Sequence, residues 1–577
     1  MITQMKKYTF LVFHKEYDAF LGQLREAGVV HVSQKAEGMA DDPKLQELLT
    51  KQKELQHIMD QGATDQLVQE RAEVLKKLSE TEREKERMEV WGEFSTDKIE
   101  ALRKSGYSLQ FFVCQKDKFR EEWGVAVAEK SGRIYFVAVN APEEIEGCEK
   151  VQITKSAADI QKDINALKGL LAAADARIEA WQMANKESLA TQLQEAQHQI
   201  DWQRVVLNTT SAAENTLCLL EGYCPVDRCE ALNNRLEAQH IYYQAVDPIL
   251  TDDTPTELKN NRFAKLFEVF TGMYGWPTYG EFDPTPILAP FYLLFFAMCM
   301  GDAGYGIVLF AFGLLTYYKK INISMFEGLG PIIATLGVGT TIVGLFLGTF
   351  FGIPLLEASW YPDALKSIII SGNIAGFDAQ MVLAIGIGVF HICLAMIVKA
   401  LCYTKRFGFL ETVSVWGWVL LIVGGLIVLA TSALLHLPTE VTKWIIIAIA
   451  AISALAIYIF NKPGRNPLLN IGAGLWDTYN MATGLLGDVL SYVRLYALGL
   501  AGGMLGGAFN SIALMVLGEN ATWQWIPFLL ILLFGHVLNI LMSALGAFVH
   551  PLRLTFVEYF KNSGYEGKGT LYQPFSV

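Results

Sequence analysis

Residues 473–517, AGLWDTYNMATGLLGDVLSYVRLYALGLAGGMLGGAFNSIALMVL, and 523–560, WQWIPFLLILLFGHVLNILMSALGAFVHPLRLTFVEYF, decide how this chain is read. Both are apolar runs, of 45 and 38 residues, where about 20 residues span a bilayer upright. Segments this long must tilt strongly, break, or extend into water. Within them lie the only two basic residues set deep in apolar sequence, Arg494 and Arg553. An arginine at mid-membrane costs about 2.5–3.5 kcal/mol on insertion scales, and it cannot escape by losing its proton. A fixed positive charge suits a gate that attracts a carboxylate, makes it release its proton or cation, and blocks leakage of positive ions. The alternatives are a structural ion pair with Asp488 or Glu558 and, for Arg553, snorkelling to the interface.

Polar residues lead up to each arginine with helical spacing. Asp477, Asn480, Gly484, Gly487, Ser491 and Arg494 step by three and four, as do His536, Asn539, Ser543, Gly546, His550 and Arg553. Each stripe is about 25 Å long at helical rise. Two polar tracks ending at an arginine read as two half-channels with no through path; polar glue between packed helices is the other reading. Gly499, Gly502, Gly503, Gly506 and Gly507 follow Arg494. They suit either static close packing or a sliding contact, and the motif does not choose between them.

Working outward, six further apolar segments lie at 286–301, 303–318, 328–351, 379–402, 409–435 and 442–460, so about eight helices are expected, the first two readable as one hairpin. The chain has 577 residues, 52% hydrophobic and only 18% charged. Of 47 basic and 59 acidic residues, just 13 and 14 lie from Glu281 onward, leaving −11 of the net −12 in residues 1–280. This divides the chain into a soluble acidic domain, 1–280, and a polytopic membrane domain, 281–577. Nucleic-acid binding through a basic surface, disorder and a small disulfide scaffold are disfavoured. If the first domain is cytoplasmic, the inner loops carry Lys319, Lys320, Lys399, Lys405, Arg406, Lys462, Arg465, Lys561 and Lys568, against Lys366 and Lys443 outside. That asymmetry places both termini in the cytoplasm. MITQMKKYTF at the start has no apolar signal-peptide run.

The N-terminal half reads as α/β. Residues 8–32 and 217–246 each give strand, helix, strand, and together could complete one lobe; 107–153 give further strands. Between these lie two charged helices. In the second, Ile160, Ile164, Leu167, Leu171, Ala174, Ile178 and Trp181 form a coiled-coil seam. The first, about 43–92, has a looser seam through Leu45, Leu48, Leu55 and Ile58, interrupted at Gly62. The expected form is two lobes joined by an antiparallel coiled-coil arm; a plain dimerising coiled coil is the alternative. The eight cysteines are scattered without zinc-ligand spacing, and no phosphate-binding loop or HExxH occurs. No metal, cofactor or catalytic residue is expected.

SYVRLYALG (491–499) and AFVHPLRL (547–554) resemble the last two membrane helices of the a subunit, or subunit I, of V-type and archaeal-type rotary ATPases. LEGYCP (220–225), PTELKNNRF (255–263), YGEFDPTP (279–286) and GDAGYG (301–306) match in the same order, and the prokaryotic branch is the closer. The resemblance implies a non-catalytic stator in a bacterial or archaeal cell membrane. It implies c/K-ring proteolipids as partners, with E/G-type peripheral stalks, a d/C-type central-stalk connector and the V1 sector. The family's essential arginine matches Arg494, its supporting arginine Arg553 and its nearby histidine His550. Asp477, Asn480, Asp488, Ser491, His536, Asn539, Ser543 and Glu558 are half-channel candidates. Eukaryotic members carry a histidine where Gly502 stands and a glutamate where Ser543 stands, so the outer path here would use other groups. A stand-alone secondary ion transporter is the alternative, but the inverted repeat it requires is not found.

Overall fold

The computed structural model describes residues 2–33, 42–92, 94, 96–130, 132–141, 145, 147–151, 155–212, 216–249, 252–318, 320, 328–374, 376–436, 438–461, 467–517 and 523–576. Lys319, Lys462 and Arg465, used above for orientation, lie outside these residues. The chain forms two compact units, Gln34–Thr209 and Met1–Ser33 with Thr210–Val577.

In the larger unit, β1 (Met5–Phe13), α1 (Tyr17–Ala27) and β2 (His31–Val32) make the first strand–helix–strand segment. Tyr8, Phe10 and Val12 alternate into the core, as period-2 patterning requires.

The smaller unit contains α2 (Pro43–Gln61) and α3 (Asp65–Met88), separated at Gly62, whose φ is +66°. It also holds an antiparallel sheet of β3 (Leu109–Gln115), β4 (Val125–Lys130), β5 (Arg133–Val139) and β6 (Cys148–Val151), in the order β4-β5-β3-β6. The 51-residue α4 (Ala157–Leu207) completes it. Asp42 bonds Gln203 at 2.9 Å, Gln52 bonds Gln197 at 2.6 Å and Arg71 pairs with Asp175 at 2.6 Å. Partners descend along α4 as they ascend along α2 and α3, so the helices run antiparallel. Ile160, Ile164 and Ala174 are buried at the spacing read from the sequence.

Back in the larger unit, β7 (Thr210–Ala212) and β8 (Leu217–Pro225) lead to α5 (Val226–Ala238) and β9 (Tyr242–Val246). The two strand–helix–strand segments interleave into one antiparallel sheet, β2-β8-β1-β9, with β7 beside β8. Met5 pairs with Pro225, and Lys7 with Val246. The C-terminal tail closes onto this lobe. Phe575 N–H donates to the Val30 carbonyl at 2.8 Å and Tyr572 Oη to the Val29 carbonyl at 2.6 Å. His31 Nδ1 lies 2.8 Å from the Gln573 carbonyl oxygen and 3.1 Å from its amide nitrogen.

Burial pushes the His31 imidazole below its ordinary range, against a smaller opposing effect of the Gln573 bond. A depressed histidine favours the docked state above the free value, about 6.5, and that contribution is lost as pH falls through it. Hydrogen exchange at residues 569–575, corrected for intrinsic rates, should therefore be less protected at pH 5 than at pH 7.5. The difference should flatten in His31→Gln; equal protection at both pH values in the unmodified chain would refute the link.

Among the described residues, six helices are long and apolar enough to cross a membrane, and two shorter apolar ones precede them. The short pair is α6 (Thr285–Met300) and α7 (Ala303–Tyr317). The six are α8 (Gly330–Leu347), α9 (Ala379–Phe407), α10 (Val413–Leu435), α11 (Thr439–Tyr458), α12 (Pro467–Leu517) and α13 (Trp525–Arg553, continuing to Ser563). The close-packed pair is α7 with α8, not α6 with α7. A Cβ on Gly306 would lie 2.4 Å from Thr341 N, and one on Gly313 2.4 Å from Ala334 N. Glycines let these two backbones touch.

Candidate functional site

The polar residues singled out from the sequence sit on α12 and α13. α12 is unbroken over 51 residues, about 75 Å at helical rise. α13 passes Pro551 and then widens into a π-helical turn at Leu554–Tyr559. Proline has no N–H to give and crowds the preceding turn.

Arg494 is half-buried on α12, and its Nη1 is buried with no hydrogen-bond partner. His550 of α13 and Cys299 of α6 are its electrostatic neighbours. The stripes therefore bring Arg494 and His550 together, and His550 Nδ1 is also buried without a partner. Arg553 is exposed, near His550 and Glu558.

Neither arginine makes an ion pair among the described residues. Asp488 is occupied elsewhere: Lys561 Nζ lies 3.1 Å from each of its carboxylate oxygens, and Asn562 Nδ2 donates to it at 2.8 Å. Glu558 is 2% exposed, with Oε2 unpartnered and Ser491, Asp488 and Arg553 around it. On the first stripe, Asp477 and Asn480 are exposed, Asp477 accepting from Asn461 Nδ2 at 3.0 Å. Ser491 is half-buried, its hydroxyl donating to the Gly487 carbonyl at 3.1 Å.

The second stripe is more enclosed. His536 and Asn539 are buried and Ser543 is half-buried. Tyr305 from α7 ties them together, its hydroxyl 2.8 Å from His536 Nδ1 and 2.8 Å from Asn539 Nδ2. His536 Nε2 lies 3.0 Å from Asn510 Oδ1 on α12. Beside Tyr305 is Asp302, 1% exposed, whose carboxylate accepts from the N–H groups of Gly304, Tyr305, Phe351 and Gly352 at 2.7–3.1 Å. It caps α7 and grips the turn after α8, where Phe351 and Gly352 have φ of +47° and +71°. The sequence alone does not mark Tyr305, Asp302 or Asn510 as site residues, and it shows Lys561 only as a loop charge. The GDAGYG motif was the available signal for the first two; nothing local marked the others.

At three positions after Arg494 the glycines lie close against other segments of the chain. A Cβ on Gly499 would lie 2.5 Å from the Met298 carbonyl, one on Gly502 3.0 Å from Ser543 Oγ, and one on Gly506 3.0 Å from Gly352 Cα.

The sequence profile of the V-type ATPase 116kDa subunit family matches residues 137–350 and 479–577. The second stretch holds every candidate residue on α12 and α13 except Asp477. V-type ATP synthase subunit I of Borreliella burgdorferi is 27% identical over 85% of this chain and 83% of its own length. Subunit I 1 of the V-type ATP synthase of Treponema pallidum is 27% identical over the whole of both chains. A-type ATP synthase subunit I of Methanocaldococcus jannaschii is 32% identical over 62% of this chain and 55% of its own. The chain belongs to the V-type ATPase 116kDa subunit family.

Proposed function

We propose that the chain is the non-catalytic stator of the membrane sector of a rotary V/A-type ATPase, moving protons or sodium ions against a rotating c/K ring. The observation that carries this reading is the buried, unpartnered Nη1 of Arg494, with Asp488 held by Lys561 and Asn562 instead. A permanent cation without a counter-charge among the described residues is matched by a carboxylate from outside the chain. The ring carboxylate is that partner: beside Arg494 its ionised form is favoured, so it gives up its ion, and the charge keeps the half-channels apart. Arg553 and His550 support the gate. Asp477, Asn480, Asp488, Ser491 and Glu558 serve the cytoplasmic half-channel, and His536, Asn539 and Ser543 the outer one.

In this reading residues 1–280 are the cytoplasmic part, with α2, α3 and α4 as a coiled-coil arm toward peripheral stalks and the V1 sector, while residues 281–577 hold the half-channels. A d/C-type central-stalk connector is a further partner in the same complex. Both termini are cytoplasmic, in a bacterial or archaeal cell membrane, and the long α12 and α13 lie tilted against the ring.

Thiol labelling tests the two tracks. In a background without the eight native cysteines, Ser491→Cys should react with a small membrane-impermeant reagent supplied from the cytoplasm, and Ser543→Cys with the same reagent from outside. Leu498→Cys, beyond the arginine, should react slowly from the cytoplasm. Labelling of both serine positions from one side would rule out the half-channel assignment, and labelling from neither would make the stripes helix-packing contacts.

A further inference from the structure

We propose that Tyr305 is a positioning residue of the outer track, holding His536 as a fixed hydrogen-bonding pivot that shapes the path without carrying protons along it. This rests on the stator reading above and deepens it.

Two backbone carbonyls set the direction of the network. Asn539 Nδ2 donates to the Gly502 carbonyl at 2.9 Å, and Asn510 Nδ2 to the Phe351 carbonyl at 2.7 Å. A carbonyl only accepts, so both side-chain amides have one permitted orientation. The second N–H of Asn539 then donates to the Tyr305 oxygen, and the Tyr305 hydroxyl donates in turn to His536 Nδ1. With Nδ1 accepting, the imidazole proton sits on Nε2 and is donated to Asn510 Oδ1. Ser543 Oγ completes the chain, donating to Asn539 Oδ1 at 3.3 Å.

Every bond runs in one sense, and a neutral imidazole satisfies all of them. A proton added at Nδ1 would turn an N–H toward Tyr305 and leave the tyrosine proton without its acceptor. On both sides of the His536–Tyr305 pair the chain passes through a carboxamide, which does not exchange its N–H proton as a hydroxyl or imidazole does. Hopping therefore stops at Asn539 and at Asn510. Among the described residues, the titratable groups around His536 are Tyr305 and, behind it, Asp302, both from the start of α7. α12 contributes the neutral Asn510, and the turn after α8 contributes the Phe351 ring. Asp302 places Tyr305 by accepting its backbone N–H at 3.1 Å.

Glutamine separates a pivot from a proton carrier, because it can accept from Tyr305 and donate to Asn510 but cannot shuttle a proton. In the reconstituted complex, with pumping normalised to assembled enzyme, His536→Gln should stay within about twofold of wild type, while His536→Leu and Tyr305→Phe each lose about fivefold or more as a buried network is broken. Combining Tyr305→Phe with His536→Leu should add less than about twofold, since both act through one network. Arg494→Gln is measured alongside: if it pumps, the stator reading itself is wrong. If Arg494→Gln is silent and His536→Gln is as inactive as His536→Leu, His536 carries protons and the pivot is refuted alone. Wild-type pumping by His536→Leu and Tyr305→Phe would equally overturn it. Should His536→Leu not assemble, Tyr305→Phe, which removes one oxygen, carries the comparison. Failure of both to assemble would make the network a folding device and overturn the positioning role.

Discussion

Arg494→Gln is expected to abolish ATP-driven ion transport in the reconstituted complex while leaving the complex assembled. The guanidinium contributes little to holding this chain together, since it forms no ion pair among the described residues and its Nη1 is unpartnered. Glutamine retains length and polarity but removes the charge. Loss of one preorganised charge-stabilising group commonly costs about 100-fold or more in rate, and transport should fall at least that far. Arg494→Lys should also fail largely. An ammonium is a smaller array of donors and can shed its proton when desolvated, whereas arginine does neither. ATP-driven acidification of vesicles, or sodium uptake, measures the effect against complex yield on a native gel. Near-normal transport by an assembled glutamine variant would refute the gate.

The second large effect is structural. Asp302→Ala should reduce the yield of assembled complex by about tenfold or more, because it strands four backbone N–H groups that the carboxylate now satisfies. Each buried donor left without a partner costs about 1–3 kcal/mol, and membrane surroundings offer few substitutes. Two of the four belong to Phe351 and Gly352, both in the left-handed region. For Phe351 that conformation is unfavourable in itself, and the carboxylate is what holds it. Asp302→Asn should lie between, since one amide oxygen replaces two carboxylate oxygens and its NH2 would face N–H donors. Yield after detergent extraction reads the outcome, and wild-type yield for Asp302→Ala would remove Asp302 from the account of this fold.

Much of the architecture was legible because it depends on periodicity. Apolar length marked the spans, and a three-and-four spacing placed Ile160, Ile164 and Ala174 inside the contact between α4 and its antiparallel neighbours. Arg494 and Arg553 stood out for a related reason: a permanent charge in apolar sequence is costly wherever it sits. The interleaving of β8 between β2 and β1 was not legible in the same way. The sequence showed two similar strand–helix–strand segments but no register, which depends on pairing residues 190 to 220 positions apart.

The candidate site divides along the same line. Spacing on one helix put His550 and Arg553 in a stripe, and spacing on another put Ser491 and Arg494 in a second. That Arg494 and His550 are neighbours follows only from how α12 and α13 pack. Lys561 has a role that local reading does not reveal. It was counted as a loop charge useful for orientation, yet it pairs with Asp488 from α12, taking the partner that an ion-paired Arg494 would have used. Tyr305, Asn510 and His536 likewise come from three helices, and no window of sequence holds more than one of them.

Composition and apolar patterning suffice to establish a polytopic membrane protein with an acidic, mixed α/β and helical N-terminal half, and two arginines in its last two long apolar segments. Composition, hydropathy and helical period are local quantities, summed over a few turns of chain. Tertiary structure alone decided which polar groups have partners. Asp488 is neutralised by Lys561, Asp302 is filled by four backbone donors, the Asn510 and Asn539 amides are turned by the Phe351 and Gly502 carbonyls, and Arg494 Nη1 is left open. Hydrogen bonds and ion pairs act over about 3–4 Å, so only the packing of distant segments says which groups come that close.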